Sequence, residues 1–360
     1  MTEALADPRP RLAIVPGDPT GIGPELAARI LTNPDMWRLA RFLVVGDARV
    51  MAMGAQQAEV SLSLRSIANG EGAAAAIREA ETAGEVPMID LGNLDPSRFT
   101  LGQASAEVGG EVGATLAAAV ELARAGIVDG VTFTPLNKQA MFRGGWQFPD
   151  EHKLFAHLLG FKGLFSEMNV LDGQWMTRVT SHVSLREAVE QITPARIRDA
   201  LTLADTTMRR AGIAEPRIAV AALNPHAGEG GLFGREEIDI IAPTVREMAA
   251  RGIRCDGPFP SDTVYLKAFE GHYDSVLAMY HDQGQIATKL RGFNRGVTIT
   301  AGLPTVFTTP AHGTAYDIVG RGIADPGATE SAVRLAARLA GKTSLDGPGT
   351  QATGLVDAQT

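Results

Sequence analysis

The stretch Ser275–Gly284, SVLAMYHDQG, decides how the rest of the chain is read. Ser275 to Tyr280 is a short apolar run without alternation, the pattern of a strand buried on both faces. It stops abruptly at His281, Asp282 and Gly284. In open α/β sheets, ligands gather beyond the carboxyl ends of strands. The ending therefore sets an imidazole and a carboxylate where chemistry would occur. Two more segments end in the same way, Arg178–His182 (RVTSH) and Ile218–His226 (IAVAALNPH). Neutral imidazole suits zinc and similar divalent ions, and three protein ligands leave a position open for substrate. His182, His226 and His281 are thus expected to form a divalent-metal site. Of the other four histidines, His157 falls in a helix-like run and His272 in a polar loop, and both read as ordinary.

Outward from this stretch, strands alternate with helices. Arg11–Pro16, Arg41–Gly46 and Val128–Thr134 read as strands. Gly113–Ala125 reads as a buried helix, and Gly70–Glu85 as a surface helix and connector. Thr193 caps a helix that begins with Pro194 and runs to about Ala211, and Pro243–Arg251 is another helix. Such alternation implies a mainly parallel sheet with helices on both faces. Gly17–Glu25 (GDPTGIGPE) follows the first strand and opens a helix. It is either a tight turn or an anion-binding loop, and it matches neither the Rossmann nor the P-loop pattern. The tail from Lys342 lacks apolar periodicity and reads as disordered.

With 360 residues, the chain is long enough for two domains or one large α/β unit. A net charge of −8 and the lack of a basic run argue against nucleic acid and anionic membranes as partners. Cys255 is the only cysteine, which excludes an intrachain disulfide and a cysteine-rich metal site. The polar N-terminus and the absence of a run of about 20 apolar residues point to a cytoplasmic protein.

His312–Pro326 (HGTAYDIVGRGIADP) resembles the adenosine-binding loop of isocitrate and isopropylmalate dehydrogenases, which bind nicotinamide dinucleotides without a Rossmann fingerprint. Together with Gly17–Glu25, Leu223–Glu229 (LNPHAGE), Gly257–Thr263 (GPFPSDT) and Tyr280–Gly284, in this order, it resembles the 4-hydroxythreonine-4-phosphate dehydrogenase (PdxA) family. The resemblance spans Arg11 to Leu339. It implies an isocitrate dehydrogenase-like three-layer α/β/α fold, with two subdomains (1–135 plus 296–341, and 136–295) flanking an active-site cleft. It also implies a homodimer whose metal is held by His182, His226 and His281 drawn from both subunits. Zinc is expected there, with magnesium, manganese or cobalt as alternatives. NAD is expected at His312, Gly313, Thr314, Ala315 and Asp317. The implied chemistry is oxidation of a secondary alcohol followed by loss of CO2. Lys138, Asp262 and Asp282 are candidates for proton transfer, and His152 for substrate binding.

The chain departs from the family at its phosphate site. The family pattern is lysine, asparagine and arginine; here the positions hold Lys289, Thr298 and Phe307, and the usual Gly-His-Thr reads Glu151-His152-Lys153. Losing the arginine removes a bidentate phosphate ligand. The expectation is therefore a non-standard substrate, such as the carboxylated aromatic cis-dihydrodiol of the related terephthalate dihydrodiol dehydrogenases, with Phe307 against the ring and Lys153 or Lys289 on the carboxylate. The alternative is an authentic 4-hydroxythreonine-4-phosphate dehydrogenase of pyridoxal phosphate biosynthesis.

Overall fold

The computed structural model describes residues 7–67, 72–292 and 295–341. The tail from Lys342 and the start of the Gly70–Glu85 segment lie outside the described residues. Within them, one continuous sheet contains β1 (Arg11–Val15), β2 (Arg41–Gly46), β3 (Leu64–Ser66), β4 (Val86–Asp90), β5 (Gly130–Phe133), β6 (Ser166–Leu171), β7 (Gln174–Arg178), β8 (Ile218–Ala221), β9 (Cys255–Phe259), β10 (Ser275–Ala278), β11 (Val297–Ala301) and β12 (Val306–Pro310). Their order across the sheet is β3-β4-β2-β1-β5-β12-β11-β6-β7-β10-β8-β9. It runs unbroken from one expected subdomain to the other.

Both flanks are parallel, as the apolar runs predict. The centre is not: β11 is antiparallel to both β12 and β6, and β6 is antiparallel to β7. Strands of the two flanks therefore run in opposite senses. Helices cover both faces. Leu12, Ile14, Phe42 and Val44 pack on one face with Ala332 and Val333 of the helix Gly327–Ala340. Ala13, Val15, Leu43 and Val45 pack on the other with Val112 and Leu116 of the helix Ala106–Arg124. The three-layer α/β/α fold follows from strands that are apolar on both sides.

The helix Ala106–Arg124 starts earlier than its apolar pattern suggests. Ser105 caps it by accepting from the Val108 amide. Its early glycines do not break it; they allow close approach. A Cβ on Gly109 would lie 2.1 Å from the Ala140 carbonyl carbon, and one on Gly113 would lie 2.1 Å from Trp146 Nε1. This contact presses the short helix Lys138–Arg143 against the domain. Asn137 caps that helix through the Ala140 amide, 2.9 Å away, so Lys138 stands at its first position. The Thr193 cap with Pro194 forms as expected.

Register fixes what faces the central strands. Thr298 lies opposite Asn169 on β6 and Thr309 on β12, and Thr300 lies opposite Glu167 and Phe307. Cross-strand partners point to the same face, so these six side chains share one. Phe307 is expected to meet a substrate ring, and here the structure corrects the reading. Phe307 is 1% exposed and stacked on Phe155, with ring centroids 4.1 Å apart. The helix Glu151–Leu158 covers that end of the strip, so the ring is spent on the core. Phe307→Ala should cost about 3–5 kcal/mol of stability, read as a lowered urea midpoint. A stable variant with a raised substrate KM would instead return Phe307 to the site.

Candidate active site

A cleft of about 310 Å³ opens over the antiparallel centre of the sheet. Lys138, after β5, and His312 and Gly313, after β12, reach it from one flank. His182, after β7, and His281, after β10, reach it from the other. Glu167, Asn169 and Thr298 form its floor, and Gln285 and Lys289 come from the helix His281–Gly292. Loops following strands of opposite direction thus meet over one face.

The two cleft histidines are held alike. His281 Nδ1 lies 2.7 Å from Asp282 Oδ1, and His182 Nδ1 lies 3.3 Å from Asp150 Oδ2. A carboxylate only accepts, so each Nδ1 carries the hydrogen and each Nε2 keeps its lone pair. Their ring centroids are 5.3 Å apart. Carboxylate-oriented imidazoles of this kind are the donor set a divalent cation uses, and the pair fits two of three ligands. The third expected ligand is elsewhere. His226 sits with φ +53° on the loop Pro225–Gly231, largely exposed and 3.3 Å from Glu229. Among the described residues of one chain, no group of three or more metal-ligating side chains converges. The buried Glu237 builds that loop, accepting from the Leu223 and Asn224 amides at 2.8 and 2.7 Å.

Other expected residues divide between the cleft and its surroundings. Lys138 lines it, half-exposed, with Nζ 2.6 Å from Glu151 Oε2. Burial would lower the lysine pKa, but Glu151 more than offsets this and raises it. Lys138 is therefore a cation here, not a ready base. Lys289, Thr298, His312 and Gly313 line the cleft. His152 is buried behind it, bonded through Nδ1 to Thr300 Oγ1. Lys153 is an exposed side chain outside the cleft lining, because Asp150 caps the helix and turns Glu151 and His152 inward instead. Asp262 likewise lies exposed on the helix Ser261–Phe269, outside the cleft lining of one chain. Asp282 is mostly exposed and touches His281.

The loop of His312–Pro326 is pinned to Gly17–Glu25. The Ile22 amide donates to the Thr314 carbonyl at 3.0 Å, Tyr316 Oη donates to Asp18 at 2.8 Å, and buried Glu25 accepts from the Ala324 amide at 3.0 Å. Ala315 takes φ +46°, and Asp317 is exposed. GDPTGIGPE is thus a docking surface for the second loop.

The residues not foreseen are Asp150, Glu167, Asn169, Arg178 and Gln285. Arg178, almost fully buried, lies 3.1 Å from Glu167. Asn169 takes hydrogen bonds on Oδ1 from Arg178 and, at 2.7 Å, from Gln285, and donates to Thr298 Oγ1 at 3.0 Å. A charged residue inside an apolar strand was the available signal. Burial would raise the Glu167 carboxyl, yet His152, Arg178 and His182 hold it well below the ordinary range. Burial likewise would raise Asp150, and His182 and the Lys153 amide bring it to about 2. Burial lowers His152, but Glu167 and Glu151 overcome this and raise it. The His152 contribution to stability is then full below pH about 6.5 and lost as pH rises through its raised folded value. In urea unfolding, His152→Asn should be most destabilised relative to the parent at pH about 6 and less so at pH about 9. A deficit that grows with pH would reverse the assignment.

The family model described as "Pyridoxal phosphate biosynthetic protein PdxA" matches residues 38–336. A Rhizobium meliloti (strain 1021) relative carrying a 4-hydroxythreonine-4-phosphate dehydrogenase name is 46% identical over 93% of this chain and 94% of its own. The D-threonate 4-phosphate dehydrogenase of Cupriavidus necator is 39% identical over 93% of this chain and 99% of its own. Among solved structures, the 4-hydroxythreonine-4-phosphate dehydrogenase of Klebsiella pneumoniae is 35% identical with a TM-score of 0.76, covering 95% of this chain and 100% of its own. The terephthalate 1,2-cis-dihydrodiol dehydrogenase of Burkholderia xenovorans LB400 is less similar, at 29% identity and a TM-score of 0.62 over 91% of this chain and 98% of its own. Among the described residues, no helix is long and apolar enough to cross a membrane. The chain belongs to the PdxA family of dehydrogenases.

Proposed function

We propose that this dehydrogenase oxidises the secondary alcohol of a phosphorylated four-carbon hydroxy acid, of the hydroxythreonine or threonate phosphate type, using NAD and a divalent cation and releasing CO2. The observation that carries this reading is the cleft itself. It combines two carboxylate-oriented imidazoles, a paired lysine and a second lysine with a hydroxyl, in a chain whose relatives are named for such substrates. The aromatic dihydrodiol expectation gives way. Its ring-binding residue, Phe307, is buried in the core, and the dihydrodiol enzyme is the less similar relative.

In this reading His182 and His281 hold the cation, with His226 supplied by a second copy of the chain. When bound, a divalent cation supplies Lewis-acid stabilisation of the developing alkoxide. His312, Gly313, Thr314, Ala315 and Asp317 would hold NAD, which would supply the hydride acceptor. Lys138, kept protonated by Glu151, can hold a proton for return to carbon after CO2 leaves. Lys289 and the Thr298 hydroxyl take the phosphate. The Thr298 oxygen accepts from Asn169, which leaves its own hydrogen for a ligand. Exposed Leu232 and Phe233 beside the His226 loop, and Leu185 beside His182, supply the apolar surface that pairing of two copies would bury.

NADH formation from the two phosphorylated acids should reach kcat/KM of about 10⁴ M⁻¹s⁻¹ or more for at least one, with a carboxylated dihydrodiol far slower. The reverse order would overturn the reading. His281→Ala should lose bound metal and about 100-fold or more in kcat, with its unfolding curve little changed. Full activity in that variant would remove His281 from the site.

A further inference from the structure

Glu151 and Glu167 both line the cleft, yet each is almost fully buried and already has its own cation. Lys138 Nζ lies 2.6 Å from Glu151 Oε2, and Arg178 Nη2 lies 3.1 Å from Glu167 Oε1. The second oxygen of Glu167 is less well occupied. It stands 3.5 Å from His152 Nε2 and 3.9 Å from His182 Nε2, at or beyond the limit of a hydrogen bond. His152 Nε2 is buried with no hydrogen-bond partner. The carboxylates on either side of it only accept, so it carries a hydrogen.

This wall selects by charge and by donor count. An anionic group has no hydrogen to give to Glu167 Oε2, which only accepts, so the two oxygens face each other with no bond between them. An ammonium meets carboxylates whose charge is already matched, beside Lys138, Arg178 and the His152 N–H. A hydroxyl is neutral, can donate to Glu167 Oε2, and can accept from a neighbouring N–H. We propose that Glu167, supported by Glu151, is a specificity-determining residue that reads a substrate hydroxyl on the carbon next to the one oxidised. The inference rests on the proposed function, which puts the reacting oxygen at His182 and His281. Of the two flanking carbons in a four-carbon acid, one carries the phosphate. The other carries the carboxylate, excluded from this wall, and a single further substituent. That substituent is a hydroxyl in threonate 4-phosphate and an amine in 4-hydroxythreonine 4-phosphate. The structure favours the dihydroxy acid.

The test compares these two compounds by steady-state kinetics and by calorimetric binding to the metal-loaded protein without NAD. The dihydroxy acid should lead by at least about tenfold in kcat/KM and in Kd. Arg178→Met leaves the Glu167 charge unmatched and should shrink that ratio about tenfold or invert it, while Arg178→Lys restores it. Should Arg178→Met fail to fold, Glu167→Gln serves instead, raising KM for the dihydroxy acid more than for the amino acid. Equal use of both compounds, or preference for the amine, overturns the inference and leaves the proposed function standing. If neither compound binds or is oxidised, the proposed function fails and the inference falls with it.

Discussion

The cleft depends on the antiparallel pairings at the centre of the sheet. β11 lies antiparallel between β12 and β6, and β6 lies antiparallel to β7; the three pairings together reverse the sheet across its centre. In a sheet parallel throughout, all loops after strands would emerge at one edge. Here the loops bearing Lys138 and His312 come from one edge, and those bearing His182 and His281 from the other. The register of β11 also sets Thr298 and Thr300 beside Asn169 and Glu167, so that polar side chains form a strip between two apolar cores.

Such a strip is costly unless every charge in it is matched, because removing an ion from water costs several kcal/mol even after relaxation. The matching is local. Glu151 has Lys138, Glu167 has Arg178, and Asp150 and Asp282 each hold an imidazole. The same pairs that make burial tolerable also fix the tautomer of both cleft histidines and the orientation of Asn169. Stability and readiness for a ligand therefore have a common origin here, before any substrate is present.

How much of this was legible in the sequence depended on whether the signal was local. Apolar runs located β1, β2, β8 and β10, and Thr193-Pro194 marked its helix, because strand burial and caps are written in neighbouring residues. The strand-end histidines were visible for the same reason. The antiparallel pairing of β11 was not, since nothing in VTITA states which way its neighbours run. Phe307 shows the consequence: its place in the chain was read without its burial, which only the Thr300 register and the cover by Phe155 determine. Lys153 failed on helix phase, because one residue's rotation separates an inward His152 from an outward Lys153. The Glu167–Arg178 pair spans a hairpin and appears in sequence only as two charges in apolar strands. His226 lies away from the cleft of a single chain, and the metal role proposed for it would need a second copy.

The most direct measurement is anomalous diffraction from crystals of the zinc-loaded protein. One peak is expected about 2.0–2.3 Å from a ring nitrogen of both His182 and His281, facing the cleft floor of Glu167 and Thr298. Zinc bound elsewhere, with that histidine pair left without an ion, would contradict it.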